Sequence, residues 1–313
     1  MRSPPGSVPH GTSMAGMRNA RISREAAIAI VAAGHHSMPA TFSRLRRVAR
    51  IQARVLTNEV AKRAPERARQ TTYGPYVFRY PSRSIVGRAV AEGLTWDPHL
   101  TGIVAGLPPS ALVCEVGSNI GASLLTMVRA RQDLRFVCFE PSNRFLPYLR
   151  ANVDVNALGE RVTVEPRLVG PDGERWQLTS NTSTGSVVAG RYDRHLLLET
   201  QAMTSVGLDG YFCALGTPPA FLKIDTDGFD HKVLESARDL LTGARPTVFV
   251  EYTPALLKRI GSSPEELREL LLDCGYRSAD LYRGEGALLR ADHPLSEPIQ
   301  TDSYLDVVVH GAR

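Results

Sequence analysis

The chain has 313 residues, of which 43% are apolar and 22% charged, a composition typical of a folded protein. Its net charge of +5 is uneven: residues 1–70 hold 13 basic and 3 acidic residues, leaving 24 basic and 29 acidic beyond (37 − 13 and 32 − 3). This acidic remainder argues against nucleic-acid binding by the larger part of the chain, and the longest apolar run, 26–33, is below the roughly 18 residues of a membrane span.

The first 72 residues predict a tail and a basic extension. Residues 1–22, rich in Pro, Gly, Ser and Met, predict a disordered tail, and 23–72 predict a helical extension. Within it, 43–64 favours a helix with apolar residues on one face and arginines on the other. Three interpretations stay open: a helix covering the domain, a helix contacting an anionic membrane surface or a protein partner, or an organellar transit peptide.

The cysteines indicate the compartment. They are Cys114, Cys138, Cys213 and Cys274. None has C-x-x-C spacing, and two fall in predicted buried strands, where a thiol behaves as a small apolar group. Free cysteines indicate a reducing environment, so we expect a cytoplasmic protein. Only 4 of the 37 basic residues are Lys, a bias associated with GC-rich, bacterial genomes.

A strand, a turn and a helix are predicted early in the remaining region, 73–313, after a lead-in helix over 82–93. The apolar run 111–114 leads into a turn with Gly117 and Gly121, and 122–128 continues as a helix. This unit places a ligand over the ends of parallel strands. We expect both glycines to let the backbone approach that ligand closely.

The next predicted strand, 135–139, ends at Glu140, where an acid accepts hydrogen bonds from ribose hydroxyls. An adenosine-containing cofactor is therefore indicated. A dinucleotide would need a glycine where Asn119 stands, to admit its pyrophosphate. Glu115, just before the turn, would repel phosphate and suits a cation. S-adenosylmethionine, which carries a sulfonium and no phosphate, is thus favoured over NAD.

Five motifs in register resemble those of FkbM-type S-adenosylmethionine-dependent methyltransferases. They are Glu115-Val-Gly-Ser-Asn-Ile-Gly121, Phe139-Glu-Pro-Ser142, Leu149-Arg-Ala-Asn152 with Asn156, Leu222-Lys-Ile-Asp-Thr-Asp-Gly228 and Arg245-Pro-Thr-Val-Phe-Val-Glu251. The family usually has Asp and Ala where Glu115 and Ser118 stand, and Val and Glu at Thr226 and Asp227. Each replacement keeps charge or size.

The resemblance, over about 80–309, implies a Rossmann-like class I methyltransferase: an α/β fold with a seven-stranded, mostly parallel sheet and helices on both faces. It also implies O-methylation of a hydroxyl on a sugar, glycolipid or polyketide-type small molecule. The residues expected to bind the cofactor are Glu115, Gly117, Ser118, Asn119, Gly121, Glu140 and Pro141.

Acids at strand tips also supply candidates for catalysis. A third strand is predicted over 161–165. Asp225 ends the fourth, 221–225, Asp227 follows it, and Glu251 ends the fifth, 247–251, so we expect these tips at one rim with Glu115 and Glu140. Asp225 or Asp227 is expected to take the proton from the acceptor hydroxyl, and His231, one helical turn on, is an alternative base. Asp225 is alternatively a helix cap. The acids do not form a dense ligand set, so a required metal is not expected.

Later segments complete the predicted domain. A hairpin is expected from 174–178 and 186–189 around a polar loop, a helix from 229 to 243, another over 264–274, and short strands over 276–281, 287–289 and 304–309. Two other functions stay open: a methyltransferase of RNA or protein, and a partner-binding subunit without activity. Nothing in the sequence indicates the oligomeric state.

Overall fold

The computed structural model describes residues 66–180, 185–187, 199–284, 286–301 and 303–311. The predicted tail 1–22 and the helix predicted over 43–64 lie outside these residues. Only the end of the predicted helical extension 23–72 is described, and there Ala68–Tyr73 form a strand.

The elements alternate between strands and helices along most of the described chain. The strands are β1 (Ala68–Tyr73), β2 (Tyr76–Pro81), β3 (Leu112–Val116), β4 (Arg135–Phe139), β5 (Val162–Glu165), β6 (Leu168–Val169), β7 (Arg175–Ser180), β8 (Gly185–Val187), β9 (Glu199–Val206), β10 (Phe221–Ile224), β11 (Thr247–Tyr252), β12 (Ser278–Tyr282), β13 (Leu288–Pro294) and β14 (Leu305–Val309). The helices are α1 (Ile85–Ala91), α2 (Leu100–Ala105), α3 (Ala122–Ala130), α4 (Leu146–Val155), α5 (Leu208–Leu215), α6 (Asp230–Glu235), α7 (Arg238–Gly243), α8 (Pro254–Arg259) and α9 (Pro264–Asp273).

The central sheet has eight strands in the order β13-β12-β14-β11-β10-β3-β4-β5. The strands from β11 to β5 are parallel to one another. β14 is antiparallel to both of its neighbours, and β13 is antiparallel to β12. The mostly parallel arrangement agrees with the sequence prediction. The sheet has one strand more than the seven predicted: β13, which begins in the short strand predicted over 287–289, lies outside β12.

Both faces of the sheet are covered, as expected for parallel strands. Leu112, Cys114 and Val116 of β3 pack in the core that includes α5, α6 and α9. Val113, between them, packs in the other core, with α1 to α4. Since β3 is buried on both sides, its five residues are all buried, including the charged Glu115.

The hairpin β1–β2 is fastened to α4 by two asparagines. The amide of Asn152 accepts from the backbone N–H of Arg79 (2.6 Å) and donates to its carbonyl (2.9 Å). Asn156 makes the same pair of bonds with Val77 (2.9 and 2.8 Å). These two residues of the third motif therefore have a structural role, which is to hold the lead-in segment against the domain.

A smaller sheet contains the predicted hairpin. β7 pairs with β8 in antiparallel fashion, which confirms it, and the loop residues 181–184 lie outside the described ones. β9, which pairs with β7 and β6, is not predicted from the sequence. The single helix predicted over 229–243 is in fact two, α6 and α7, because Ala237 (φ −123°) interrupts the helical backbone.

Candidate active site

A cavity lies at the carboxyl ends of β3, β4, β10 and β11, the edge of the sheet where ligands bind in open α/β folds. The residues predicted from the sequence that line it are Gly117, Ser118, Asn119, Glu140, Pro141, Asp225, Asp227 and Glu251. Glu115, Gly121 and His231 are not among the lining residues. Four of the five sequence motifs thus contribute to one wall.

The turn after β3 depends on two glycines with left-handed backbone, Gly117 (φ 87°) and Gly121 (φ 84°). A Cβ on Gly117 would lie 2.0 Å from the carbonyl oxygen of Asp225. Gly117 therefore allows two strand tips to pack closely, whereas the sequence analysis assigned it to contact with the ligand. Asn119 also has a positive φ (50°), which Asn tolerates better than most residues.

Glu140 is buried at the tip of β4 and oriented by two backbone N–H groups. One carboxylate oxygen accepts from Asn119 (2.7 Å) and the other from Ser142 (2.8 Å). Burial raises the pKa of Glu140 to about 7, although both N–H groups act to lower it. The carboxyl is thus fixed in direction, and its remaining lone pairs are available at the cavity wall.

Glu115 lies below the cavity rather than at its rim. Its side chain is fully buried, and its Oε1 is 3.8 Å from Nζ of Lys223, its register partner on β10. Burial raises the pKa of Glu115 to about 7, against the opposing effect of Lys223. The structure therefore places Glu115 in a buried charge cluster behind the residues that line the cavity.

Lys223 is the centre of that cluster. Its Nζ donates to Asp225 Oδ2 at 2.9 Å and lies 3.8 Å from Asp97 Oδ2. The ammonium also lies 5.3 Å from the centre of the Phe249 ring. Burial alone would lower the pKa of Lys223, but the surrounding acids outweigh it and raise that pKa. Sequence analysis did not single out this lysine, although a charge inside an apolar strand is a signal of pairing.

The connection between α1 and α2 contributes an aromatic wall that the sequence did not predict. Trp96 lines the cavity. Its backbone N–H donates to the hydroxyl of Tyr73 (2.7 Å), and its backbone carbonyl accepts from the hydroxyl of Thr126 (2.7 Å). The next residue, Asp97, accepts from Ser123 (2.8 Å) and faces Lys223. No local motif marks this segment, because tertiary contacts alone bring it to the site.

The loop after β10 is held by an acid that the sequence analysis did not name. Asp230 is fully buried and accepts from the N–H groups of Thr226 (3.2 Å) and Gly228 (2.9 Å). Asp230, and not Asp225, therefore organises the start of α6. The loop brings Asp225 and Asp227 to the cavity, Asp227 with a positive φ of 54°.

The side chain of Glu251, near the end of β11, also lines the cavity and makes no hydrogen bond with another described residue. Burial raises its pKa well above the ordinary value, and Asp225 and Asp227 raise it further. A carboxyl with a raised pKa is a stronger proton acceptor once ionised. The rim predicted from strand tips is thus formed by Glu140, Asp225, Asp227 and Glu251, without Glu115.

His231 is placed away from the cavity lining. It is buried on α6, where its Nδ1 lies 3.2 Å from the hydroxyl of Ser262. Burial lowers its pKa. The contact with Ser262 gives His231 a packing role between α6 and the start of α9. The prediction of His231 as an alternative base therefore has no support in its position.

The wall suits S-adenosylmethionine. Glu140 is fixed at the tip of the second parallel strand, where an acid accepts ribose hydroxyls. The other rim carboxyls favour a cation and disfavour a phosphate. One cation, Arg167, lines the cavity too, with its Nε 3.2 Å from Glu165. Among the described residues, no group of three or more His, Cys, Asp or Glu is placed to hold a metal ion.

The parallel sheet, the glycine turn and the acid at the second strand tip are the features of a Rossmann-like α/β fold that binds a nucleoside-containing ligand. Residues 115–278, just over half of the chain, match the family model described as a methyltransferase FkbM domain. The chain belongs to this family.

Solved structures with distant similarity include the methyltransferase FkbM from Methylobacillus flagellatus (16% identity, TM-score 0.40), with 72% of this chain and 54% of that one covered. A SAM-dependent O-methyltransferase from Thermotoga maritima has 13% identity and a TM-score of 0.41 (82% of each chain). An O-methyltransferase family protein from Burkholderia thailandensis has 9% and 0.41 (73% and 57%). The chain thus spans about half the length of the M. flagellatus protein.

No curated protein matches the chain. In the described part of the structure, every helix is too short or too polar to cross a membrane.

Proposed function

We propose that the protein methylates a hydroxyl oxygen on a sugar, glycolipid or polyketide-type small molecule. The observation that carries this proposal is the composition of the cavity wall. It combines Glu140, an acid placed to accept hydrogen bonds from ribose hydroxyls, with three further carboxyls, Asp225, Asp227 and Glu251. A hydroxyl acceptor needs a group of this kind, because it has to lose a proton as the new bond forms.

The turn at Gly117–Asn119 and the tip at Glu140–Pro141 hold the cofactor in this proposal. When bound, S-adenosylmethionine supplies an electrophilic methyl group. Glu140 accepts hydrogen bonds from the ribose hydroxyls with the lone pairs that are not used by the N–H groups of Asn119 and Ser142. The remaining rim carboxyls favour positive charge in the cavity and exclude phosphate-bearing ligands.

Glu251 is the best-placed proton acceptor of the three other carboxyls. Asp225 receives a hydrogen bond from the Lys223 ammonium, and a neighbouring cation weakens a carboxylate as a base. Glu251 lacks such a bond within the described structure, and burial raises its pKa. Asp227 is the second candidate. A transfer assay that compares Glu251→Gln with Asp225→Asn distinguishes these assignments.

Calorimetric titration of S-adenosylmethionine into the intact protein tests the proposal. We expect micromolar binding, and a loss of about 10- to 100-fold in Glu140→Ala, since hydrogen bonds to a charged group contribute about 1.5–3 kcal/mol. Glu160→Ala is the control, because it removes an equally charged but exposed acid that does not line the cavity.

Thermal unfolding has to accompany the titration, because Glu140→Ala also leaves two buried N–H groups without an acceptor. Failure of the folded, intact protein to bind the cofactor would contradict the proposal and favour a partner-binding subunit. Cofactor binding together with methylation of RNA or protein, and not of small hydroxyl compounds, would contradict the proposed acceptor class alone.

A further inference from the structure

The cavity crosses the carboxyl edge of the sheet, so it has an apolar wall on each face. The wall on the side of α5, α6 and α9 belongs to the core on that face and consists of Val116, Phe139, Leu168, Val169, Leu178 and Phe229. The wall on the side of α1 to α4 consists of Ile85, Val86, Trp96 and Ala122. The rim carboxyls lie at the strand tips between these two walls.

Three residues of the second wall, Ile85, Val86 and Trp96, precede the part of the chain that matches the family, and we call them the lead-in wall. The glycine turn and all four rim carboxyls fall inside the matched range, 115–278. Residues that bind a cofactor common to a family are expected within its shared part, whereas the choice of acceptor depends on residues added to that part. The lead-in wall is therefore placed to contact the acceptor.

Contacts of the next residue, Asp97, place the Trp96 segment beside the carboxyls proposed to receive the proton. Asp97 Oδ2 is 3.8 Å from Nζ of Lys223, which donates to Asp225 at 2.9 Å. Glu140 is at the tip of β4, two strands away from β10, which is a separation of about 10 Å. The segment thus adjoins the β10 end of the cavity and not the ribose end.

Hydrogen bonds hold the Trp96 segment in place from both sides. The backbone of Trp96 is bonded to the hydroxyls of Tyr73 and Thr126, and these two hydroxyl oxygens are 2.6 Å apart. Asp97 accepts from the hydroxyl of Ser123 at 2.8 Å. A segment that is ordered before its ligand arrives loses little conformational entropy on binding. Trp96 is therefore a preformed part of the wall.

The side chains of the lead-in wall suit a flat ligand. Ile85 and Val86 begin α1 and add two branched aliphatic side chains to the indole of Trp96. An indole offers a large, flat apolar surface, on which the face of another ring packs well. An open chain covers the same surface only by giving up its rotational freedom. A ring on this wall can direct a hydroxyl at its edge towards the rim carboxyls.

We propose that Trp96 packs against the face of a ring in the acceptor and selects ring-bearing hydroxyl compounds over open-chain ones. This inference rests on the proposed function and narrows its substrate class to acceptors with a flat ring and a hydroxyl at the edge of that ring. A pyranose sugar and a phenol share this chemistry.

Tryptophan fluorescence tests this assignment, because Trp96 and Trp176 are the two tryptophans of the chain. Trp176 packs edge-on against Phe229, with 4.8 Å between ring centres, and does not line the cavity. Trp176→Phe therefore leaves Trp96 as the single reporter. Acrylamide, a small neutral quencher, measures how accessible its indole is. Saturating S-adenosylhomocysteine, which has no methyl group to transfer, should leave Trp96 open to acrylamide.

Matched ring and open-chain compounds are then added to the protein with S-adenosylhomocysteine bound. The pairs are methyl β-glucopyranoside with sorbitol and phenol with hexan-1-ol. We expect one of the two rings to protect Trp96 from acrylamide, and its open-chain partner to give no protection. Protection by the glucoside indicates a sugar acceptor, and protection by phenol indicates an aromatic one.

Two substitutions of Trp96 separate the ring from its apolar bulk. Trp96→Leu keeps an apolar side chain, whereas Trp96→Phe also keeps an aromatic ring. Calorimetric titration should show that Trp96→Leu binds the protecting ring compound about 2- to 10-fold more weakly, which is the range for one aromatic contact. Trp96→Phe should restore part of this affinity. Both variants should bind S-adenosylhomocysteine as the intact protein does, and thermal unfolding confirms that they fold.

Several outcomes would overturn the role of Trp96. They are shielding of Trp96 by S-adenosylhomocysteine alone, protection by neither ring, equal protection by a ring and its open-chain partner, and unchanged ring affinity in Trp96→Leu. If the intact protein binds S-adenosylmethionine and one of these results is found, the acceptor assignment fails and the methyltransferase proposal stands. If the intact protein does not bind the cofactor, the proposed function fails first.

Discussion

Lys223 and Glu115 are a pair of residues whose contact could be predicted from the sequence, whereas the direction of the Glu115 side chain could not. Each is the charged residue of an otherwise apolar strand, and buried charges are normally paired, so their contact was predictable. From the sequence, Glu115 was instead predicted to contact the ligand. Parallel strands covered on both faces lose the alternation that tells where a side chain points. The residue types indicated that the two charges pair, but the sequence did not indicate where the side chain of Glu115 points.

Removal of the Lys223 charge should destabilise the protein substantially. Lys223→Met leaves Glu115, Asp97 and Asp225 without their common counter-ion, and a buried charge that loses its partner costs about 3–5 kcal/mol. Urea unfolding measures the loss. It should be larger at pH 8 than at pH 6, because Glu115, with a pKa of about 7, takes up a proton at the lower pH.

Lys232→Met is the control for this substitution. Lys232 pairs with Glu235 one helical turn away, and both side chains are about a quarter exposed or more. Such a pair contributes less than about 1 kcal/mol. Equal losses in the two variants would contradict the central position assigned to Lys223.

At the scale of elements, the strands and helices with strong patterns were predictable and the polar ones were not. β3, β4, β10, β11 and β14 are apolar runs next to turns, and each was predicted close to its position. β9 (Glu-Thr-Gln-Ala-Met-Thr-Ser-Val) lacks such a run and was missed. It is a strand because β7 and β6 offer it partners, and pairing of that kind is a property of the fold and not of the segment.

The contact between the tips of β3 and β10 gives a prediction about the glycine turn. Gly117→Ala forces a methyl group to within 2.0 Å of the Asp225 carbonyl, so the strand tips have to separate. We expect a loss of stability well above the roughly 1 kcal/mol that a left-handed alanine costs by itself. Chemical denaturation measures it, and cofactor affinity should fall as well.

Gly173→Ala isolates the backbone contribution. Gly173 has a similar φ, 77°, and a Cβ there would meet no atom within 4 Å. The difference between the two variants is therefore the cost of the clash. A Gly117→Ala protein as stable as Gly173→Ala would show that the strand tips are not packed as described.

At the scale of the whole molecule, the sequence identified which strand tips meet but not what covers them. Glu140, Asp225 and Asp227 were predicted because the carboxyl ends of parallel strands share one edge. Trp96 and Asp97 were not, because they lie in a connection with no pattern of its own. Their positions follow from Tyr73, Ser123, Thr126 and Lys223, four contacts from different parts of the chain.

The buried acids should make the cofactor-free protein less stable as pH rises. Glu115, Glu140 and Asp230 have their pKa values raised to about 7 by burial, so the folded chain holds protons that the unfolded chain has already lost. Their stabilisation is complete below about pH 4 and is lost as pH rises through 7, with a change on the order of a few kcal/mol for each group.

Urea unfolding at pH 6.5 and pH 8 measures this effect. His231 acts in the opposite direction, because burial lowers its pKa, but most of its contribution is complete above the ordinary histidine value near 6.5. The free energy of unfolding should therefore be higher at pH 6.5. A protein that is more stable at pH 8 would contradict the burial of these three carboxyls.

The position of β14 has a consequence for synthesis on the ribosome. β12 and β13 leave the ribosome before β14, yet they join the sheet only through β14, which separates them from β11. Domains assemble from the N-terminus as the chain emerges. We therefore expect the nascent chain to form the parallel half of the sheet, with the cavity carboxyls, before the hairpin of β12 and β13 joins it. During that interval Ala279 and Leu281 of β12, which are buried in the finished sheet, are exposed to solvent.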